Sequence, residues 1–369
     1  MLFIGLMSGT SLDGVDAVLA DCTHAPPKSL VHAYRAFPDE LRASLTALCT
    51  TGLDEVERCG VAAGDLVRLY AAVVDDVLQM AGVARSAVRA IGAHGQTVRH
   101  RPQLGFSVQL NAPALLAELS GIDVVADFRS RDIAAGGHGA PLASLFHIAA
   151  FSGPQPRAVV NVGGICNLTG LPKAGKDGDV VGFDIGPGNL LLDHWTQKHF
   201  AMPFDRDGSI ATSARADQSL LEALLAEPFF AQPPPKSSGR ELFSPMWLER
   251  ALQNRDLEPA TVLATLTRLS AVAIGRAINS WFPQANDVVV CGGGARNATL
   301  LRMMESECAP RPVVASSAVG VEPDQVEALA FAWLANVHVN GQTGNVPSVT
   351  GARGGRILGA LYPAQAPGK

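Results

Sequence analysis

The sequence predicts an α/β protein of two domains, each with a mixed central sheet flanked by helices. Three observations carry this expectation. An apolar run with a small-residue turn opens the chain at Leu2–Asp16, and a run of the same design recurs at Ala158–Thr169. Strand and helix patterns alternate after each copy. The 369 residues, 47% of them hydrophobic, exceed what one core usually absorbs.

In the first half, Leu2–Met7, Val15–Asp21 and Leu30–Phe37 read as strands, followed by amphipathic helices at Asp39–Cys49 and Asp65–Ala81. Further strands are expected at Ala90–Ala93, Phe106–Leu110 and Val124–Ala126, with a helix at Ala112–Ser120. Glycines at 136, 137 and 139 break the pattern before a helix at Leu142–Phe151. The second half restarts with the hairpin Arg157–Gly170 and a third strand at Val180–Asp184. Helices at Asn189–Phe200 and Thr265–Trp281 precede the strand Asp287–Cys291, and Pro228–Pro245 reads as loop. The last helix, Pro323–His338, aligns Val326, Leu329, Ala330, Trp333 and Leu334 along one face. A strand-like tail at Arg356–Tyr362 is expected to return to the first domain. The domains are therefore drawn as 1–127 plus 346–369, and 128–345.

A net charge of −5 without a dense basic block disfavours a nucleic-acid partner. The six cysteines lack metal or disulfide spacing and suit a reducing cytoplasm. No apolar run is read as a membrane span and no secretory leader is read at the start.

Turns rich in Gly, Ser and Thr can turn several backbone N–H groups toward an anion. Ser8, Gly9, Thr10 and Ser11 form such a turn, and Gly163 and Gly164 sit in its echo. Gly292, Gly293 and Gly294 follow an apolar strand, where backbone could approach a flat ring or a ribose; Asn297 could equally be an N-cap. Asp184 lies at a strand end before Gly186-Pro-Gly188, a place where a carboxylate serves either as a base or as a partner for turn amides.

Gly5-Leu-Met-Ser-Gly-Thr-Ser-Leu-Asp-Gly-Val-Asp16, His94-Gly-Gln-Thr97, Asp127-Phe-Arg-Ser-Arg-Asp132, Asn161-Val-Gly-Gly-Ile-Cys-Asn-Leu168 and Gly182-Phe-Asp-Ile-Gly-Pro-Gly-Asn189 together resemble the anhydro-N-acetylmuramic acid kinases. The resemblance continues through Pro233-Pro-Pro-Lys-Ser-Ser-Gly-Arg-Glu241, Cys291-Gly-Gly-Gly-Ala-Arg-Asn297 and Glu327-Ala-Leu-Ala-Phe331, so it spans nearly the whole chain. Cys166 and Ser238 stand where that family more usually has Ala and Thr.

The resemblance implies an actin/hexokinase/Hsp70-like fold with ATP in the interdomain cleft, Mg²⁺, and the substrates 1,6-anhydro-N-acetylmuramic acid and water. It implies Asp184 as the catalytic base. Ser8 to Ser11, Asp13, Gly14, Asp16, Gly163 and Gly164 would meet the ATP phosphates, and Asp13 and Asp16 are the candidates for the metal. Gly292 to Gly294 and Asn297 would meet adenosine. Gln96, Thr97 and Glu327 would bind sugar substituents, and Arg131 the lactyl carboxylate, since a planar guanidinium matches both oxygens. An alternative for Arg129 and Arg131 is a local ion-pair network with Asp127 and Asp132. His94 and His138 are read as structural. A conventional sugar kinase and a nucleotide-driven interaction protein are the rival functions; the assembly is left open, with a homodimer as one option.

Overall fold

The computed structural model describes residues 1–9, 11–175, 179–240 and 242–364. The chain divides into two compact units, Met1–Ala150 with Asp324–Lys369, and Phe151–Pro323.

The first unit opens with an antiparallel meander of β1 (Leu2–Met7), β2 (Gly14–Asp21) and β3 (Lys28–Ala36). Helices α1 (Asp39–Leu48) and α2 (Glu55–Ala81) follow. The second starts ten residues before the expected Asp65, because its first turns expose Val56 and Val61 and so carry no core-facing stripe. Strand β4 (Val88–Ala93) lies parallel to β1. A separate hairpin of β5 (Gln96–Arg101) and β6 (Phe106–Leu110) leads to α3 (Pro113–Ser120), β7 (Val124–Ala126) and α4 (Ser130–Ala134). β7 is parallel to β4.

After α5 (Ser144–Phe151), the second unit repeats the plan. Strands β8 (Arg157–Val162), β9 (Ile165–Leu171) and β10 (Val181–Pro187) form its meander. Four helices then intervene: α6 (Asn189–Phe200), α7 (Gln218–Leu225), α8 (Pro245–Leu252) and α9 (Pro259–Trp281). Strand β11 (Asp287–Cys291) is parallel to β8, and after α10 (Ala298–Cys308) β12 (Val313–Ala315) is parallel to β11. Helix α9 is apolar and long enough to cross a bilayer by composition, which the sequence expectation had not credited; 83% of its most apolar stretch is buried inside the unit.

The chain then returns to the first unit through α11 (Val326–Val339), α12 (Pro347–Thr350) and β13 (Ala360–Tyr362), which pairs with β7. The two sheets share one strand order, β3-β2-β1-β4-β7 and β10-β9-β8-β11-β12, with β13 added to the first. Antiparallel pairs on one side of the central strand and parallel pairs on the other make this the duplicated plan of the actin/hexokinase/Hsp70 fold.

The unit borders fall at Ala150 and Asp324, whereas the expected borders were at 127 and 345. Helix α11 accounts for the second difference: it packs on β1, β2 and β4. Glycine makes this close approach possible. A Cβ on Gly5 would stand 2.6 Å from the Ala332 nitrogen, and one on Gly92 2.8 Å from the Phe331 carbonyl carbon. The helix is consequently buried on most sides, including Ala328, Phe331, Ala332 and Ala335, rather than along one face as its pattern suggested.

Candidate active site

In the first unit the parallel strands β1, β4 and β7 all end at the same edge of the sheet, and the motifs noted in the sequence are the segments that follow them. Carboxyl ends of parallel strands are where α/β sheets bind ligands. Hydrogen bonds tie these segments together. His94 N donates to Leu6 O (3.1 Å), and the Ser8 hydroxyl contacts Tyr70 Oη (2.8 Å) and donates to Gly95 O (3.3 Å). Gln96 Nε2 donates to Gly9 O (3.0 Å), fixing the turn whose amides are the phosphate candidates. Arg129 donates to His94 Nε2 (2.9 Å) and to Gly139 O (2.6 Å).

These bonds sort the candidates. The Ser8 hydroxyl is buried and engaged by Tyr70, so its backbone is what Ser8 can offer an anion. Gln96 is buried, yet its Oε1 has no partner, which leaves an acceptor for a ligand hydroxyl. The Thr97 hydroxyl accepts from Gln109 (3.1 Å). Arg131 is exposed and makes no ion pair among the described residues. The acids of the alternative local network have other partners: Asp132 is fully buried and accepts from Asn345, Thr350 and the Gly139 amide (2.7, 2.7 and 2.8 Å), while Asp127 accepts from Ser130 (2.6 Å). Glu327, half-buried, lies in the first turn of α11, one turn before Phe331, whose ring packs on His94 at 4.7 Å. Burial and the Arg129 charge push the His94 imidazole down to about 3, so it is neutral. Thr10 lies outside the described residues.

For Mg²⁺, the residues fit in part. Asp13 is exposed, and one of its oxygens accepts from Ser11 Oγ (2.6 Å) and Gly14 N (3.0 Å), which aims the carboxylate beside the turn. Asp16 is half-buried and pairs with His32 (2.8 Å); burial raises its pKa, the nearby Asp13 and Asp324 charges add to that, and His32 offsets it only in part. A phosphate-bound Mg²⁺ needs only one or two carboxylates. Asp13 is the better placed.

In the second unit the ends of β8, β10 and β11 converge. The tip carbonyls of Gly163 and Gly164 accept from the amides of Gly188, Asn189 and Leu190 (2.8 to 3.2 Å), so the hairpin caps α6. A Cβ on Gly188 would stand 2.9 Å from the Cys166 sulfur. Gly292, at φ 77°, and Gly294 press on β8: added Cβ atoms would lie 2.5 Å from Asn161 Oδ1 and 2.6 Å from Val162 Cβ. Gly293 alone of the three is exposed, with nothing nearer than 3.5 Å to its missing Cβ. Asn297 accepts from Leu300 N (2.9 Å), which is the N-cap role.

Asp184 sits on β10, beside a bulge, and is 8% exposed. Its Oδ2 accepts from Ser238 N (2.9 Å), and its own amide donates to Lys236 O (3.1 Å). Burial, then the Asp184 charge, pushes the neighbouring Cys166 thiol up to about 12, so that thiol is no nucleophile. Sequence reasoning assigned no role to Tyr70, Lys236 or the Ser238 amide. Their only signal was membership of motif segments or an apolar helix face, which does not say what a side chain touches.

A family model for anhydro-N-acetylmuramic acid kinase matches residues 1–364. A protein of that name from Bordetella petrii is 53% identical over 372 residues, covering 98% of this chain and 96% of the relative. One from Variovorax paradoxus is 51% identical over 371 residues, covering 98% and 99%. Among solved structures, the activator of the 2-hydroxyisocaproyl-CoA dehydratase from Clostridium difficile with bound ADPNP overlays with a TM-score of 0.47 at 14% identity, over 90% of this chain and 93% of that one.

Proposed function

The chain belongs to the anhydro-N-acetylmuramic acid kinase family, and on that premise we propose that it opens the 1,6-anhydro ring of 1,6-anhydro-N-acetylmuramic acid and phosphorylates O6 with ATP. The products are N-acetylmuramic acid 6-phosphate and ADP, and the reaction belongs to peptidoglycan recycling in the cytoplasm. The observation that carries the reading is the buried Asp184 carboxylate, held by a backbone amide beside the glycine turns of the second unit.

In this substrate O6 is bonded to C1, so no 6-hydroxyl exists and water must supply the oxygen that stays at C1. Asp184 takes a proton from that water as its oxygen attacks C1. The C1–O6 electron pair leaves on O6, which attacks the γ-phosphorus, and the β,γ-bridging oxygen departs with ADP. One water is consumed, and its proton passes from Asp184 to solvent. A buried carboxylate gains as a base because bulk water does not compete for it.

Backbone amides of Ser8 to Ser11, with Gly14, Gly163 and Gly164, are assigned to the ATP phosphates, and Gly293, flanked by Gly292 and Gly294, to adenosine. Mg²⁺ on the nucleotide supplies charge neutralisation and alignment; Asp13, backed by Asp16, is the group assigned to hold it. Gln96, whose Oε1 is unpartnered among the described residues, Thr97 and Glu327 are assigned to sugar hydroxyls, and the exposed Arg131, which makes no ion pair among the described residues, to the lactyl carboxylate.

Turnover in ¹⁸O-labelled water tests the route. The label is expected at C1 of the product and not in the phosphate. Asp184→Asn is expected to abolish turnover while ATP and sugar still bind; unlabelled product, or near-normal rates in this variant, would reject the proposal.

A further inference from the structure

We propose that the segment Lys236–Ser238 is a clamp that positions the Asp184 carboxylate, with Lys236 as its anchor and the Ser238 amide as its contact. The inference rests on the reading of Asp184 as the base and adds the residues that aim it.

Strand β10 is an edge strand, so its outer backbone groups have no sheet neighbour. At Asp184 the segment 236–238 fills that place. The Asp184 amide donates outward to Lys236 O (3.1 Å), and two residues on, Ser238 N donates back to Asp184 Oδ2 (2.9 Å). Backbone and side chain of one residue are therefore held by the same short segment. The bulge between Asp184 and Gly186 loosens the pairing with β9 at this point, so the second support matters.

Lys236 holds the segment in place. Its side chain is buried, which is rare for lysine without a carboxylate partner, and it makes no ion pair among the described residues. Instead Nζ donates to Phe229 O (2.9 Å) and Phe230 O (3.4 Å), and it lies 4.5 Å from the Phe229 ring centre and 5.6 Å from that of Phe183. Phe183 precedes Asp184 on β10, and Phe229 lies in the short turn Pro228–Ala231. One ammonium thus ties the loop to both the catalytic strand and that turn. Among the described residues, this ammonium and the Cys166 thiol on β9 are titratable groups that feel the Asp184 charge.

The test compares full-length Lys236→Met, Ser238→Ala and Asp184→Asn. Lys236→Met keeps side-chain length but loses the anchor. It is expected to lower kcat about ten- to a hundredfold, the value of one hydrogen bond to a charged group, with both KM values within about twofold. The acid limb of kcat/KM should move up by about one pH unit, since the amide and the nearby ammonium both favour the ionised carboxylate; Ser238→Pro keeps the ammonium, so a shift there belongs to the amide. Ser238→Ala keeps the amide, so its acid limb should stay where the wild type has it, whatever its kcat. If Lys236→Met does not fold, Ser238→Pro, which deletes the amide hydrogen, must show the displaced limb. An unmoved acid limb in whichever variant folds overturns the clamp, even if kcat or the melting temperature falls. If Asp184→Asn stays active, the base reading itself fails; if it is inactive while Lys236→Met is normal, only the clamp fails.

Discussion

Replacing Gly5 by alanine tests whether α11 is seated on the first sheet as tightly as the geometry requires. The added Cβ would overlap the Ala328 carbonyl oxygen outright and stand 2.6 Å from the Ala332 nitrogen and 2.8 Å from the Ala328 carbonyl carbon, where ordinary contact begins at 3.4 Å. Both neighbours are helix backbone, so no side chain can rotate away. Overpacking a core costs about 1–3 kcal/mol, and a clash with backbone belongs at the upper end. For a unit of this size that is a fall of about 6–12 °C in melting temperature. Function should suffer with stability. Glu327 adjoins Ala328, and a shift near 1 Å at a positioning group can cost up to about a hundredfold in rate, so kcat/KM for the sugar is expected to fall at least tenfold. Calorimetry and kinetics with the sugar as varied substrate check both. Gly60→Ala is the control: this glycine lies inside α2 with nothing within 4 Å of its missing Cβ, and the change should stabilise by about 0.5–1 kcal/mol. Gly5→Ala with an unchanged melting temperature and unchanged sugar kinetics would refute the reasoning.

His94, His100 and His147 are each held down at about 3, chiefly by burial, so the folded protein stays neutral at these sites where the unfolded chain takes up protons below about 6.5. Their contribution is complete above that pH and is lost as pH falls toward 3, by up to about 4 kcal/mol per pH unit for three protons; melting curves against pH read the slope, and His94→Asn should reduce it. Gly293→Ala should raise KM for ATP with little change in melting temperature. Asn297→Ala should lose about 1 kcal/mol of stability through its cap and leave KM for ATP nearly unchanged. Arg131→Ala should raise KM for the sugar and spare both ATP kinetics and stability, because the exposed guanidinium has no ion pair to lose among the described residues; a stability loss measured by thermal melting would point instead to a structural role.

How much of this was legible beforehand follows from what each signal encodes. The hairpins at Leu2–Asp21 and Arg157–Leu171 were readable because alternation and small turn residues are local properties, and from them the duplicated plan followed. Strand β5 was not, since Gln96–Arg101 is mostly polar and half-buried and gives no apolar alternation. The seat of α11 was not legible either: a helix buried on most sides shows no stripe that names a partner. Glycine illustrates the limit most clearly. Gly5, Gly92, Gly292 and Gly294 admit neighbouring backbone or side chains, whereas Gly293 stands open beside them, and the sequence writes all five with one letter. Only the surroundings separate a glycine kept for packing from one available to a nucleotide. The same holds for carboxylates: Asp132 and Asp184 are both buried acids in motif segments, but Asp132 spends its oxygens on Asn345, Thr350 and the Gly139 amide, within the first unit's own scaffold. Asp184 is held through the Ser238 amide at a strand edge covered by the segment 236–238, and its carboxylate is the one the proposed mechanism uses as base.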